Sequence, residues 1–295
     1  MKPDDSLTRF ILEGVNVRGA LVKLSDTWQN ITSRTDYPPA VADYLAQCLV
    51  ASALFTSSIK IDGRLSIHLR GAGCLKTLFA ECTTQGTLRG IAHFQEPVPE
   101  RIDIKSFGTE AVLAITIENQ ASLNREPQRY QGLVGLQANT LTEAFEVYFE
   151  QSEQLPTRLL LFSNERQAVG LLLQQMPEQI ENPDHWQRAQ FLLDTATAPE
   201  LFSLAPNEML YRLFHQEDVR VLETSELSFA CSCSRERVQA ALISLGREEI
   251  EQTIAENGEL NVHCDFCGQA YHFTHEQSIS LFWPKTSTPG NSRIH

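Results

Sequence analysis

Four cysteines near the C-terminus stand as two close pairs, Cys231-Ser232-Cys233 and Cys264-Asp265-Phe266-Cys267, with the segment Ser234 to His263 between them. Paired thiols at such spacing sit on tight turns and, as thiolates, can close a tetrahedral shell around a soft cation, the ligand pattern of a zinc site. A shell of four sulfurs leaves no open coordination position, so the metal it implies is structural or regulatory and does not activate water. His263, His272 and His275 lie close by, and a shell of three cysteines with one of these histidines is also open on ligand chemistry. Once bared, the same sulfurs are the most oxidisable atoms in the chain.

The rest of the composition narrows the setting of that site. A chain of 295 residues with 42% hydrophobic content can bury a large core and form more than one domain. The stretch Met1 to Gly14 carries charges where a signal peptide would place its apolar run, and no apolar stretch reaches the roughly 18 to 20 residues of a membrane span. The expectation is a cytoplasmic protein with no membrane partner. Seven cysteines, an odd number, argue against a secreted disulfide scaffold. The net charge of -13 repels phosphate backbones, and between the cysteine pairs three arginines face six glutamates, so a nucleic-acid-binding zinc finger is not expected. Gly71-Ala-Gly73 lacks both the dinucleotide fingerprint and a Gly-Lys-Ser/Thr sequence, so no nucleotide site is expected either.

Three regions separate along the chain. Residues 1–176 mix alternating runs that read as strands, at 15–24, 65–70, 75–82, 87–94, 111–117, 130–136, 158–162 and 169–174, with two clear helices. The first helix follows Pro38-Pro39 and puts Val41, Leu45, Cys48, Leu49 and Phe55 near one face. The second opens with Thr140 and Glu143 at capping-box spacing. Many strands with few helices, not alternating one for one, predict an α+β core domain of layered sheet and helix. Residues 177–230 read as a helical linker starting at Asn182-Pro183-Asp184, with ten acidic residues against three arginines, so the segment repels itself unless docked. Residues 231–295 form the small zinc-binding domain and its tail. Within it Ser234 caps a helix that Gly246 interrupts, Asn257-Gly258 turns the chain toward Cys264, and the residues beyond Pro284 are polar and expected to fray.

A module of this size has a marginal apolar core, whereas a structural zinc contributes on the order of 10 to 16 kcal/mol of apparent binding energy near neutral pH. Removing the metal is therefore expected to unfold it. Peroxide can convert a zinc-bound thiolate to a sulfenic acid, and each pair contains a second thiol able to resolve it. The competing reading is a static staple that merely ties down the C-terminus, which spacing alone favours because inert four-cysteine sites are common. Cys48, Cys74 and Cys82 lack paired spacing and read as inert packing.

The stretch Phe229-Ala-Cys-Ser-Cys-Ser-Arg-Glu-Arg, then Cys264-Asp-Phe-Cys-Gly and Tyr271-His-Phe, resembles the redox-switch domain of the 33-kilodalton heat-shock protein family of bacterial holdase chaperones. Tyr130-Gln-Gly-Leu-Val-Gly-Leu and Tyr148-Phe-Glu-Gln-Ser-Glu-Gln-Leu-Pro-Thr-Arg resemble its core-domain motifs, and Val17-Arg-Gly, Tyr37-Pro-Pro and Pro206-Asn-Glu extend the similarity in order along nearly the whole chain. The resemblance implies an ATP-independent chaperone, idle while reduced and zinc-bound, in which oxidation forms disulfides, expels zinc and unfolds the switch and its linker. It implies unfolding client proteins as partners and a homodimer as the active form. Carried over by position, the zinc ligands are Cys231, Cys233, Cys264 and Cys267, and the oxidised pairs are Cys231 with Cys233 and Cys264 with Cys267. The alternatives are an enzyme with its active site in the α+β domain or a constitutive adaptor, each with a purely structural zinc site. No nucleophile and base pairing stands out for the former.

Overall fold

The computed structural model of the chain describes residues 5–108, 110–119, 127–136, 138–177 and 184–282. It is an α+β protein that divides into two units, Met1–Ala230 and Cys231–His295. The first unit opens with β1 (Ser6–Glu13), β2 (Val17–Leu24), α1 (Asp26–Thr32) and α2 (Pro39–Ser58), followed by β3 (Gly63–Arg70), β4 (Leu75–Thr83) and β5 (Thr87–Phe94). Then come β6 (Val112–Asn119), β7 (Gln128–Gly135), α3 (Leu141–Tyr148), β8 (Thr157–Ser163) and β9 (Ala168–Gln175). It closes with α4 (Asp184–Asp194), α5 (Ala198–Ser203), α6 (Pro206–Phe214), β10 (Asp218–Glu226) and the two-residue β11 (Ser228–Phe229).

Helix α2 organises this unit. Pro39 at its start has the φ a first helical turn requires and no N–H to leave unsatisfied. Fourteen of its twenty residues are buried, because a sheet covers it on either side. One sheet runs β10-β1-β2-β9-β8 and the other β11-β5-β4-β3-β6-β7, antiparallel throughout except where β11 joins β5. Close approach of both sheets depends on glycine. A Cβ on Gly90 of β5 would lie 2.9 Å from Leu49, and one on Gly170 of β9 would lie 2.5 Å from Val50. The far face of the first sheet carries a second apolar cluster in which Phe10, Leu12 and Leu171 meet Leu193, Leu210 and Phe214 of the helices α4 to α6.

The eight strand expectations map onto β2 to β9 with shifts of at most two residues at their ends, and both helices are present. Thr140 accepts a hydrogen bond from Glu143 N at 3.1 Å, but the Glu143 carboxylate reaches Asn139 N at 2.9 Å, so the reciprocal bond lands one residue upstream of a capping box. Four differences have physical causes. By length and apolarity α2 would suffice to cross a membrane, contrary to the reading that no stretch reaches span length; its burial inside the unit accounts for that apolarity. Strand β1 was not anticipated, because Arg9 and Glu13 on its outward side mask the inward Phe10 and Leu12. Helix α1, also unforeseen, buries only Thr27, Trp28 and Ile31 and is too short for a periodic signal.

The fourth difference corrects the helical linker. Residues 184–214 are helical, but 218–226 form an extended strand paired along β1, from Ser6 with Glu226 to Glu13 with Asp218. Val219, Val221 and Thr224 give this stretch the β-branched content that favours a strand. Its strand state depends on a distant partner, since most of its side chains are exposed and main-chain pairing holds it. The expected helix start at Asn182-Pro183 and the tail beyond Pro284 lie outside the described residues.

The second unit comprises α7 (Arg235–Leu245), α8 (Arg247–Asn257), the hairpin of β12 (Leu260–His263) and β13 (Ala270–Phe273), and α9 (His275–Ser280). Gly246 and Gly258, both at positive φ, end the two longer helices where the sequence suggested a break and a turn. Only Leu242, Ile250, Ile254, Leu260 and Phe273 are fully enclosed in its core among the described residues.

The tight approach at Gly170 makes a direct test of how the first unit is packed. Gly170→Ala is expected to cost about 1–3 kcal/mol through overpacking against Val50 and Leu161, read as a lowered midpoint of urea unfolding. An unchanged midpoint would mean that α2 and β9 are not held this close.

Candidate metal centre

The two cysteine pairs, separated in sequence by α7, α8 and β12, come together within the second unit. Cys231 and Cys233 lie just before α7, whose first turn is capped by the Ser234 hydroxyl accepting from Arg237 N. The Arg237 guanidinium also donates to the Ser232 carbonyl at 2.8 Å, fixing the turn that carries both thiols. A thiolate just before a helix start gains from the partial positive charge of the unpaired N–H groups there. Cys264 and Cys267 sit in the turn of the β12–β13 hairpin. Gly268 N donates to the Cys264 carbonyl at 2.7 Å and Cys264 N to the Gln269 carbonyl at 3.0 Å, with Gly268 in the left-handed region. Each turn thus presents two sulfurs to one point.

The Sγ atoms of Cys231 and Cys264 are 3.6 Å apart, those of Cys233 and Cys267 are 3.3 Å apart, and all four lie within 4.8 Å of one another. Four sulfurs at bond lengths of about 2.3 Å from a central zinc would be separated by about 3.8 Å. The thiols are unbonded to each other and half-buried. The donor set therefore fits a metal ion in both chemistry and spacing. No histidine joins this group among the described residues, so the shell with a histidine ligand is not the arrangement found; His272 instead pairs with Asn261.

Without a cation, hydrogen bonding and burial set the ionisation of Cys231, Cys233 and Cys267 apart from one another. The Tyr271 hydroxyl donates to Cys233 Sγ at 3.1 Å and brings that thiol down to about 7, while the same bond pushes the Tyr271 phenol up to about 12. Burial pushes Cys267 up to about 12 and raises Cys231. Clustered thiolates repel, and a cation at their centre is what lets all four ionise together near neutral pH. Tyr271 and Arg237 were not singled out as site residues in the sequence reading. Tyr271 enters through strand geometry: opposite Val262 and four residues past Cys267, it projects from the hairpin back across the cluster. The remaining thiols are elsewhere. Cys48 and Cys82 are buried in the first unit, where burial raises Cys48 and pushes Cys82 up to about 12, and Cys74 is half-buried beside the same core.

A two-unit α+β protein whose smaller unit converges on four thiols able to hold a metal is the class of protein that this fold and site define. Comparison with known proteins narrows it. The family model described as Hsp33 protein matches residues 5–274. The 33 kDa chaperonin of Nitrosococcus oceani is 40% identical over 295 residues, covering 100% of both chains, and that of Serratia proteamaculans is 38% identical over 290 residues, covering 97% of this chain and 98% of its own. The crystal structure of the 33 kDa chaperonin (heat shock protein 33 homolog) from Thermotoga maritima shares the fold with a TM-score of 0.77 at 20% identity, over 94% of this chain and 97% of that one. The chain belongs to the Hsp33 family, as the motifs in its sequence implied.

The contrast among the thiols is measurable. In reduced protein stripped of metal by a chelator, iodoacetamide should label Cys233 well before Cys48 or Cys82, at a rate rising between about pH 6 and pH 8 as the lowered thiol ionises. Prior labelling of Cys48, read by peptide mass spectrometry, would contradict the assignment.

Proposed function

We propose that this chain is a redox-regulated, ATP-independent holdase: idle while reduced and zinc-bound, and active once oxidation has formed disulfides and released the metal. The observation that carries the reading is the convergence of Cys231, Cys233, Cys264 and Cys267 within 4.8 Å. Membership of a family whose relatives are named 33 kDa chaperonin supports the chaperone part. In this reading the protein is cytoplasmic and not an enzyme, its partners are unfolding client proteins rather than nucleic acid or membrane, and its active form is a homodimer.

A bound zinc ion would supply the positive charge that keeps four thiolates together, and with it about 10–16 kcal/mol of apparent binding energy. The chain supplies the rest. A thiolate attacks peroxide, forming an S–O bond as the O–O bond breaks and hydroxide leaves. The partner thiol then displaces oxygen from the sulfenic acid, so that each pair gives up two electrons and two protons while one peroxide becomes two waters. We assign the pairs as Cys231 with Cys233 and Cys264 with Cys267. The sulfur contacts at 3.6 and 3.3 Å cross between these pairs, but sequence neighbours stay together as the unit loosens, whereas partners separated by more than thirty residues drift apart.

Disulfide sulfurs carry no charge to hold the metal, and five enclosed apolar residues cannot hold the second unit alone. The division into a core of 1–176, a linker of 177–230 and a switch of 231–295 then acquires a mechanical meaning. Ala230 N donates to the Leu88 carbonyl one residue before Cys231, so the end of the linker and the first ligand turn share a tether. Loosening the switch frees β11 and β10, whose side chains are mostly exposed, from the edges of the two sheets. Apolar surface of the helices they join then becomes available to clients.

Light scattering of a thermally unfolding enzyme tests this. The reduced zinc-loaded protein should leave aggregation unchanged, and protein treated with peroxide at raised temperature should suppress it at near-stoichiometric amounts. Equal behaviour of the two forms would leave only a static metal staple.

A further inference from the structure

Tyr271 lies outside the four cysteines and donates its hydroxyl to one of the clustered sulfurs, Cys233 Sγ, at 3.1 Å. It belongs to the hairpin that carries Cys264 and Cys267, yet it bonds the sulfur of the other pair, 38 residues away in sequence. Its ring packs against the small apolar cluster of the second unit, next to which Arg235 stacks at 4.2 Å over Phe273, so the hydroxyl is aimed by packing. We infer that Tyr271 is a positioning residue that sets how tightly the sulfur cluster holds its metal and how readily oxidant opens it.

The inference rests on the reading that the four sulfurs bind zinc, and it adds the regulation of that site. Two effects follow from one bond. An O–H donor on a metal-bound thiolate draws on a sulfur lone pair, which lowers the sulfur's nucleophilicity toward peroxide. It also ties the two ligand turns together whether or not the ion is present, so that a released ion finds the turns already near each other. Outer partners of this kind change metal affinity by about 10–100-fold. Oxidation of Cys233 to a disulfide removes the negative charge that makes the sulfur a good acceptor, so the tie weakens once the switch has fired.

The test compares full-length, reduced, metal-loaded wild type with Tyr271→Phe, which keeps the ring and removes the donor. Zinc retention against a chromophoric chelator should fall by about 10-fold or more. Zinc release under peroxide should be faster. In the cobalt-substituted proteins the sulfur-to-cobalt charge-transfer band should move to lower energy, a signature that loss of packing would not give. Site-specific 3-fluorotyrosine at this position, a stronger donor in the same ring, should shift retention and band the other way. Equal retention, release and band position in all three proteins would overturn the inference while leaving the metal site standing. A wild type that binds no zinc would instead overturn the reading beneath it.

Discussion

Mutual repulsion among sulfurs is the constraint on which the second unit depends. Cys231, Cys233, Cys264 and Cys267 are brought within 4.8 Å of one another, a spacing at which ionised thiolates cannot coexist without a cation and at which no disulfide is formed. The turns that achieve this are built from local parts: a capped helix start with Arg237 on one side, and a hairpin turn completed by Gly268 on the other. Both would form separately. Their meeting at one point is what a central charge rewards.

The two units differ in how they are held. In the first, α2 lies between two sheets, and residues such as Leu49, Leu54 and Phe55 are wholly enclosed, with Phe55 meeting Phe145 and Phe149 edge-on at 5.1 and 4.7 Å. A core of that extent does not need a metal. Among the described residues the second unit encloses five apolar side chains and leaves Leu245 and Ile243 exposed, a core too small to oppose unfolding strongly by itself. In the proposed switch, an oxidant acting on the four sulfurs therefore reaches the unit with the smaller apolar core. Toward the end of the first unit, β10 is an edge strand held by main-chain pairing and by exposed ion pairs such as Arg9 with Glu223, each of which adds little in water.

The convergence of the four sulfurs was legible in the sequence because they come as two local pairs, each carried on one turn. Strands β2 to β9 were legible for a related reason: their alternation and the glycines between them are local signals. What escaped was set by distant partners. Strand β10 is extended because β1 lies beside it, and β1 hides Phe10 and Leu12 among charges that only its outward face explains. Tyr271 appeared as part of a motif, but its bond to Cys233 depends on a hairpin and a helix start meeting in space.

Site-resolved amide hydrogen exchange on the full chain tests the central claim most directly, comparing the reduced zinc-loaded form with the same reduced protein after a chelator has stripped the metal. The account predicts that protection is lost across α7 to α9 and the β12–β13 hairpin while α2 and strands β2 to β9 keep theirs. Undiminished protection of that hairpin in the metal-free protein would contradict it.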